Sequence, residues 1–178
     1  MTYLQPNLIY PAAATACALF ASVFDIKSRR IPNFITMPAL LLGLMTHLVF
    51  GGWQQMFSSL AAGIVCGGLF LIFYIAGGMG AGDVKLIAAV GCIAGMPHIA
   101  YILVLTAISG GVMAIALALA RGRLKETLFN VGSLASHHVQ EGLQPHPDLN
   151  IKNVQTLRLP YALAIAGGSM LTLYFQVQ

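Results

Sequence analysis

Apolar residues run in long stretches that polar residues interrupt at only a few places. A membrane-crossing helix needs about 20 such residues, with a usual range of roughly 17 to 25. Most of the stretches reach that length, so the pattern predicts an all-α polytopic membrane protein with six transmembrane helices. The approximate bounds of these helices are 8–24, 34–50, 57–76, 84–96, 99–120 and 160–175.

The fourth stretch is the shortest of the six. As a helix, residues 84–96 would be about 20 Å long, which is less than the roughly 30 Å of a hydrocarbon core. Either the helix continues past Pro97, or it lies in a place where the bilayer is thinned or covered by protein. A re-entrant helix is a further alternative.

Charge follows the same division of the chain. Hydrophobic residues make up 58% of the sequence and charged residues only 8%, whereas soluble domains carry about a quarter charged residues. With six crossings, residues 25–33, 77–83 and 121–159 fall on one side of the membrane, and all nine Lys and Arg and all five acids lie on or at the edge of that side. Because Lys and Arg accumulate in cytoplasmic loops, that side is predicted to face the cytoplasm.

The same loop bias accounts for the net charge of +4. The expected surroundings are therefore the lipid of the inner membrane, and no nucleic-acid partner is expected. Residues 1–178 are predicted to form a single membrane-embedded domain.

The loop 121–159 is the one long polar stretch, and its first half has a helical pattern. Apolar residues recur there at steps of three and four, which describes one face of a helix. We therefore predict an amphipathic helix lying flat on the cytoplasmic surface of the membrane. Its apolar stripe is Leu124, Leu128, Val131, Ala135 and Val139.

Two acids, Asp25 and Asp83, lie at the ends of apolar segments, and the predicted topology puts them at the same depth. If they also meet laterally, two carboxylates about 4 Å apart repel by roughly 4 kcal/mol at an effective dielectric near 20. One acid then keeps its proton while the other ionises. Such a pair can activate water against a peptide bond.

Other roles for the two acids remain open. They could cap helices or pair with Arg29, Arg30 or Lys85. They could also form the proton relay of a proton-coupled transporter, because intramembrane acids often mark such relays. A third possibility is a membrane assembly subunit of a secretion or pilus system.

Glycines surround the second acid. Gly80 and Gly82 are expected to adopt positive φ and to let a substrate chain approach the backbone closely. The helix dipole favours the ionised form of Asp83 at a helix N-terminus. Lys85 lies two residues further on, too far round the helix to face Asp83, and its ammonium group is expected at the surface.

These acid-bearing stretches resemble those of the type IV prepilin peptidases, which are GxGD-class membrane aspartic proteases. Residues 80–83 read Gly-Ala-Gly-Asp, residues 25–33 end in Arg-Ile-Pro-Asn, and residues 159–168 are similar to the last helix of that family. The resemblance implies that Asp25 and Asp83 are the catalytic pair. It implies supporting roles for Gly80, Gly82, Lys85, Pro32 and Asn33.

The resemblance also implies an activity: removal of the leader peptide from pilin-like precursors at the cytoplasmic face. Larger members carry an extra domain with paired cysteines and also methylate the new N-terminus. The sequence has no CxxC pair, and it is most similar to the short, cleavage-only branch. That branch includes the tight-adherence (Flp pilus) peptidases, and the archaeal preflagellin peptidases are close relatives. No methyltransferase activity, metal or cofactor is expected.

Overall fold

The protein is built of helices. The computed structural model describes residues 6–142 and 159–177, and no strand occurs among them. The helices are α1 (Pro6–Ser28), α2 (Asn33–Ile75), α3 (Ala81–Ala94), a 3₁₀ turn (Met96–His98), α4 (Ile99–Ala120), α5 (Leu124–Glu141) and α6 (Tyr161–Val177). The prediction of an all-α protein is confirmed for these residues.

Helix α2 is a hairpin rather than a rod. Its backbone leaves the helical region at Gly52, where φ is 70° and ψ is −171°, a conformation open essentially to glycine alone. A Cβ atom on Gly43 would lie 2.9 Å from the Ile93 nitrogen, and one on Gly63 would lie 3.0 Å from the Ala88 oxygen. A straight helix would separate these two glycines by about 30 Å, so the arms 33–51 and 53–75 run antiparallel along α3.

The sequence predicted a connection over residues 51–56, between the second and third apolar stretches. The structure replaces that connection with the single break at Gly52, because residues on both sides of it stay helical. Each arm is about 30 Å long at 1.5 Å per residue.

Helix α3 lies at the centre of the bundle. It packs against both α2 and α1, and most of its side chains are buried. A helix that is apolar on all sides belongs in such an interior. The buried apolar residues of α3 are Leu86, Ile87, Ala89, Val90, Cys92, Ile93 and Ala94.

Small residues allow the other helices to pack closely. On α1, Ala14, Ala18 and Ala21 share one fully buried face, and α1 packs against α6. A Cβ atom on Gly168 of α6 would overlap the backbone of Thr106 on α4. Close approach through small residues is the usual way in which membrane helices associate.

Three helices among the described residues are long and apolar enough to cross a membrane: Leu8–Ser28, Asn33–Ile75 and Met96–Ala120. Two of the six predicted crossings lie inside α2, while α3 with 14 residues and α6 with 17 are shorter than a full span. The predicted count of six crossings is therefore not confirmed.

The fourth predicted span ends earlier than its apolar stretch. Helix α3 stops at Ala94, because Gly95 takes φ 78° and the 3₁₀ turn follows. Continuation of this helix past Pro97 is therefore wrong. The alternative, a short helix covered by protein, agrees with the burial of α3.

The predicted amphipathic helix is present as α5, which follows the end of α4 after a short turn. Its exposed apolar side chains include Leu128, Phe129 and Val131. Arg123 and Glu126 form an exposed ion pair in its first turn. The second half of the predicted loop, residues 143–158, lies outside the described residues.

The contact between α4 and α6 yields a stability prediction. We expect Gly168→Ala to lower the free energy of unfolding by about 1–3 kcal/mol, because the added methyl group collides with the Thr106 backbone. Gly111→Ala on α4 is the matched control, since nothing lies within 4 Å of its Cβ position. Thermal unfolding in detergent measures both variants, and equal midpoints would contradict the packing described here.

Candidate active site

Asp25 lies in the last turns of α1, where α6 reaches it. The backbone N–H of Ala162, in the first turn of α6, donates a hydrogen bond to the Asp25 carboxyl group. The Oδ2 atom of Asp25 is buried and has no hydrogen-bond partner among the described residues. Buried polar atoms are nearly always satisfied by protein or by water, so this oxygen is suited to hold water or a shared proton.

A tight turn follows Asp25. Arg29 takes a left-handed conformation, with φ 51°, and its N–H donates to the Asp25 carbonyl oxygen at 2.8 Å. Pro32 then precedes α2 with an extended backbone, φ −74° and ψ 145°. The turn ends α1 just beyond Asp25 and sets the start of α2 next to it.

Asp83 lies in the first turn of α3 and is 8% exposed. Its Oδ2 atom accepts a hydrogen bond from the backbone N–H of Gly80 at 3.1 Å. The carboxyl group therefore satisfies a free donor at the helix N-terminus while it stays at the end of the central helix. Its place within the bundle is fixed by the packing of α3.

The glycines around Asp83 do not have the backbone conformations that the sequence predicted. The left-handed residue of this connection is Gly77, with φ 78°, whereas Gly80 has φ −87° and Gly82 is not left-handed. Gly82 is needed for space, because a Cβ atom there would lie 3.2 Å from Cβ of Ile31. The predicted positive φ at Gly80 and Gly82 is therefore wrong, but close packing at Gly82 is real.

The two acids are brought together at one end of α3. Burial disfavours the ionised form of Asp83, and the negative charge of Asp25 disfavours it further. Like charges in a partly desolvated site cannot both ionise cheaply. Two acids placed in this way can share one proton.

Three residues predicted to support the acids lie around this end of the bundle. The Lys85 ammonium group donates to Oδ1 of Asn33 at 3.0 Å, and both side chains are exposed. This bond ties the start of α2 to the start of α3. Pro32 contributes through its backbone, as the residue that begins α2.

The placement of charged residues and their spacing along the sequence did not predict that α6 contributes to the site. Tyr161 is the first residue of α6, and the charge of Asp83 acts on it. The resemblance of residues 159–168 to a family's last helix was the available signal, but it gave no role to any one residue.

A second polar cluster lies at the opposite end of α3. His47 is buried, stacks on Tyr10 with 4.2 Å between ring centroids, and contacts the Ile93 carbonyl oxygen at 3.1 Å through Nε2. His98 is close enough for its charge to interact with that of His47. The two histidines are far apart in sequence, and the hairpin in α2 brings them to the same end of α3.

The fold and the acid pair together define a class: an integral membrane protein with a buried carboxyl group, Asp83, at one end of its central helix and a half-buried one, Asp25, beside it on α1. The chain belongs to the type IV leader peptidase family, whose family model matches residues 12–115. The matched region contains both Asp25 and Asp83 and ends before α6. Comparison with curated proteins and with solved structures found no match.

The close contact at Gly82 can be tested without an activity assay. We expect Gly82→Val to lower the free energy of unfolding by about 1–3 kcal/mol, because its side chain would press on Ile31. For a protein of this size that corresponds to a midpoint about 2–12 °C lower. Gly78→Val is the control, since the nearest atom to its Cβ position is at 3.4 Å; a larger loss at Gly78 would refute the proposed role of Gly82.

Proposed function

We propose that this protein is an aspartic endopeptidase of the membrane that removes the leader peptide from pilin-like precursors. The observation that carries the proposal is the placement of Asp25 and Asp83 at one end of α3, near enough for their charges to interact, in a chain of the type IV leader peptidase family. Family membership favours the peptidase over a transporter or an assembly subunit.

The chemistry follows from a pair of acids that shares one proton. The ionised carboxylate removes a proton from water while the water oxygen attacks the peptide carbonyl carbon. The protonated carboxyl group hydrogen-bonds the carbonyl oxygen and stabilises its developing negative charge. When the tetrahedral intermediate collapses, a proton passes to the departing nitrogen and the C–N bond breaks.

The surroundings of the acids suit this cycle. Asp25 keeps a buried oxygen without a protein donor, where a catalytic water can be held. Backbone N–H groups also donate to both acids, that of Ala162 to Asp25 and those of Gly80 and Asp83 itself to Asp83. These fixed donors orient the carboxyl groups before substrate arrives, which is how preorganised sites lower a barrier.

The proposal includes a membrane placement. The two arms of α2 return the chain to the side on which it began, and α4 and α6 run antiparallel, with Gly110 beside Ala164 and Gly168 beside Thr106. With short helices α3 and α6 held among longer ones, the chain makes six crossings in one domain. The acid pair then faces the cytoplasm of the inner membrane, on the side rich in Lys and Arg.

We place the protein in the cleavage-only branch, similar to the tight-adherence (Flp pilus) peptidases, without methyltransferase activity. Its partners are then a pilin-like precursor and membrane lipid. Helix α5, with exposed apolar residues, lies on the cytoplasmic membrane surface next to the end of α4, and no cofactor takes part.

The decisive experiment replaces each acid by its neutral amide. We expect Asp25→Asn and Asp83→Asn each to lower the cleavage rate of a pilin precursor by at least about a hundredfold, the lower range for loss of a catalytic acid or base. The assay uses purified protein in detergent and follows the shortened product on a gel.

Glu126→Gln is the matched control, because Glu126 is an exposed acid on α5 that pairs with Arg123. It should cleave at the wild-type rate. Near wild-type cleavage by either aspartate variant would overturn the mechanism. Failure of the wild-type protein to cleave any of several pilin precursors would overturn the function.

A further inference from the structure

A cavity lies at the end of α3 opposite the acid pair. Its volume is about 210 Å³, less than the roughly 300–1,000 Å³ of pockets that hold drug-sized ligands, so its occupant is a small group. Both arms of α2 and the connection from α3 to α4 line it. The buried lining residues are His47, Ser59 and Gly95, and the exposed ones are Gln54, Gln55, Ser58, Met96 and Pro97.

The cavity lies where the chain reverses direction twice. Gly52 breaks α2, and the 3₁₀ turn Met96–His98 links α3 to α4. Residues next to both reversals form the lining. Trp53, which follows Gly52, is exposed, and tryptophan is enriched where a membrane meets water. A cavity at this depth opens toward the lipid headgroups.

Two side chains of the lining bind the last turn of α3. Oγ of Ser59 donates to the Cys92 carbonyl oxygen at 2.5 Å, and Nε2 of His47 lies 3.1 Å from the Ile93 carbonyl oxygen. Because a carbonyl oxygen can only accept, Nε2 carries the proton, and Nδ1 of the neutral ring is an acceptor. Nδ1 is buried and has no hydrogen-bond partner among the described residues. Buried polar atoms are nearly always satisfied, so this nitrogen calls for a donor.

Contacts on two sides fix the His47 ring. Tyr10 of α1 stacks on it with 4.2 Å between ring centroids. Gly95 passes close to its edge, because a Cβ atom there would lie 3.1 Å from Cε1 of His47. The acceptor nitrogen is therefore held in one orientation before any ligand arrives.

The electrostatics of the cavity favour a cation over an anion. Among the described residues that line it, none is Lys, Arg, Asp or Glu. The carbonyl end of a helix carries about half a negative charge, and α3 ends at Ala94, the residue before Gly95 of the lining. Ser59 keeps oxygen lone pairs after it has donated its proton, and the two glutamines offer carbonyl oxygens. A small cationic group with several N–H donors matches this lining.

We propose that the cavity binds a primary ammonium group, supplied by the headgroup of an ethanolamine phospholipid. The ammonium group donates one hydrogen bond to Nδ1 of His47 and others to oxygens of the lining, while the phosphate and the acyl chains stay outside the cavity. The site goes beyond the peptidase function proposed above and does not depend on it, since Asp25 and Asp83 lie at the other end of α3.

Two lipids that differ only at the headgroup nitrogen test the proposal. Choline has the same charge as ethanolamine but no N–H donor. With identical acyl chains, phosphatidylethanolamine should bind to one site of the purified protein about tenfold more tightly than phosphatidylcholine, as measured by native mass spectrometry in detergent. That ratio is the effect of one hydrogen bond to a charged group. Equal affinities would overturn the proposal, and so would tighter binding of the anionic phosphatidylglycerol.

Two variants locate the site. His47→Phe removes Nδ1 but keeps a ring beside Tyr10, and Ser58→Trp blocks the mouth of the cavity without changing the side chains that bind α3. Each should bring the ratio of the two affinities to about one. Gly68→Trp is the matched control for Ser58→Trp, because Gly68 is exposed on the same arm of α2 and nothing lies within 4 Å of its Cβ position. A preference for phosphatidylethanolamine that survives in Ser58→Trp would refute this location.

Soluble ethanolamine distinguishes a lipid headgroup from a free amine. Added to the protein in phosphatidylcholine, it should raise the thermal midpoint less than phosphatidylethanolamine does, because no acyl chains hold it at the membrane surface. If it raises the midpoint equally, and both effects disappear in Ser58→Trp, the ammonium site stands and the lipid source is refuted. Precursor cleavage enters neither readout, so failure of the peptidase function and failure of this site are seen separately.

Discussion

The repulsion between Asp25 and Asp83 is the constraint around which the bundle is organised. At contact distance and an effective dielectric near 20, two carboxylates repel by roughly 4 kcal/mol, a large part of the 5–15 kcal/mol that stabilises a typical domain. Apolar packing of α3 among α1 and α2 holds the acids together against this force. A proton held by one of the two acids relieves most of this repulsion, and under the proposed function it is also the proton that peptide hydrolysis needs.

The position of each acid depends more on backbone geometry than on side-chain partners. Arg29, with φ 51°, ends α1 directly after Asp25, and Gly77, with φ 78°, turns the chain toward Asp83. Neither acid forms an ion pair with Lys or Arg among the described residues. The cap interpretation of the sequence holds for Asp83, which accepts the Gly80 N–H, whereas the ion-pair interpretation holds for neither acid among the described residues.

Much of the fold could be predicted, because the length of apolar runs and the placement of charged residues indicate directly where helices lie in a membrane. The two acids stood out for the same reason, since a chain with five acids rarely places two of them at the ends of apolar segments by accident. The hairpin at Gly52 could not be predicted in detail, because the residues on both sides favour helix and only tertiary packing shows where the chain reverses. The hydrogen bond from Ala162 to Asp25 depends on how α6 docks, which no local pattern encodes.

The order of the helices along the chain has a consequence for biogenesis. A ribosome delivers α1, α2 and α3 first, yet Ala162, which orients Asp25, arrives only with α6. Helix α3, with 14 residues and an acid in its first turn, is a poor substrate for a translocon by itself and depends on the α2 hairpin already being inserted. The backbone donor that orients Asp25 is therefore synthesised only after both acid-bearing helices.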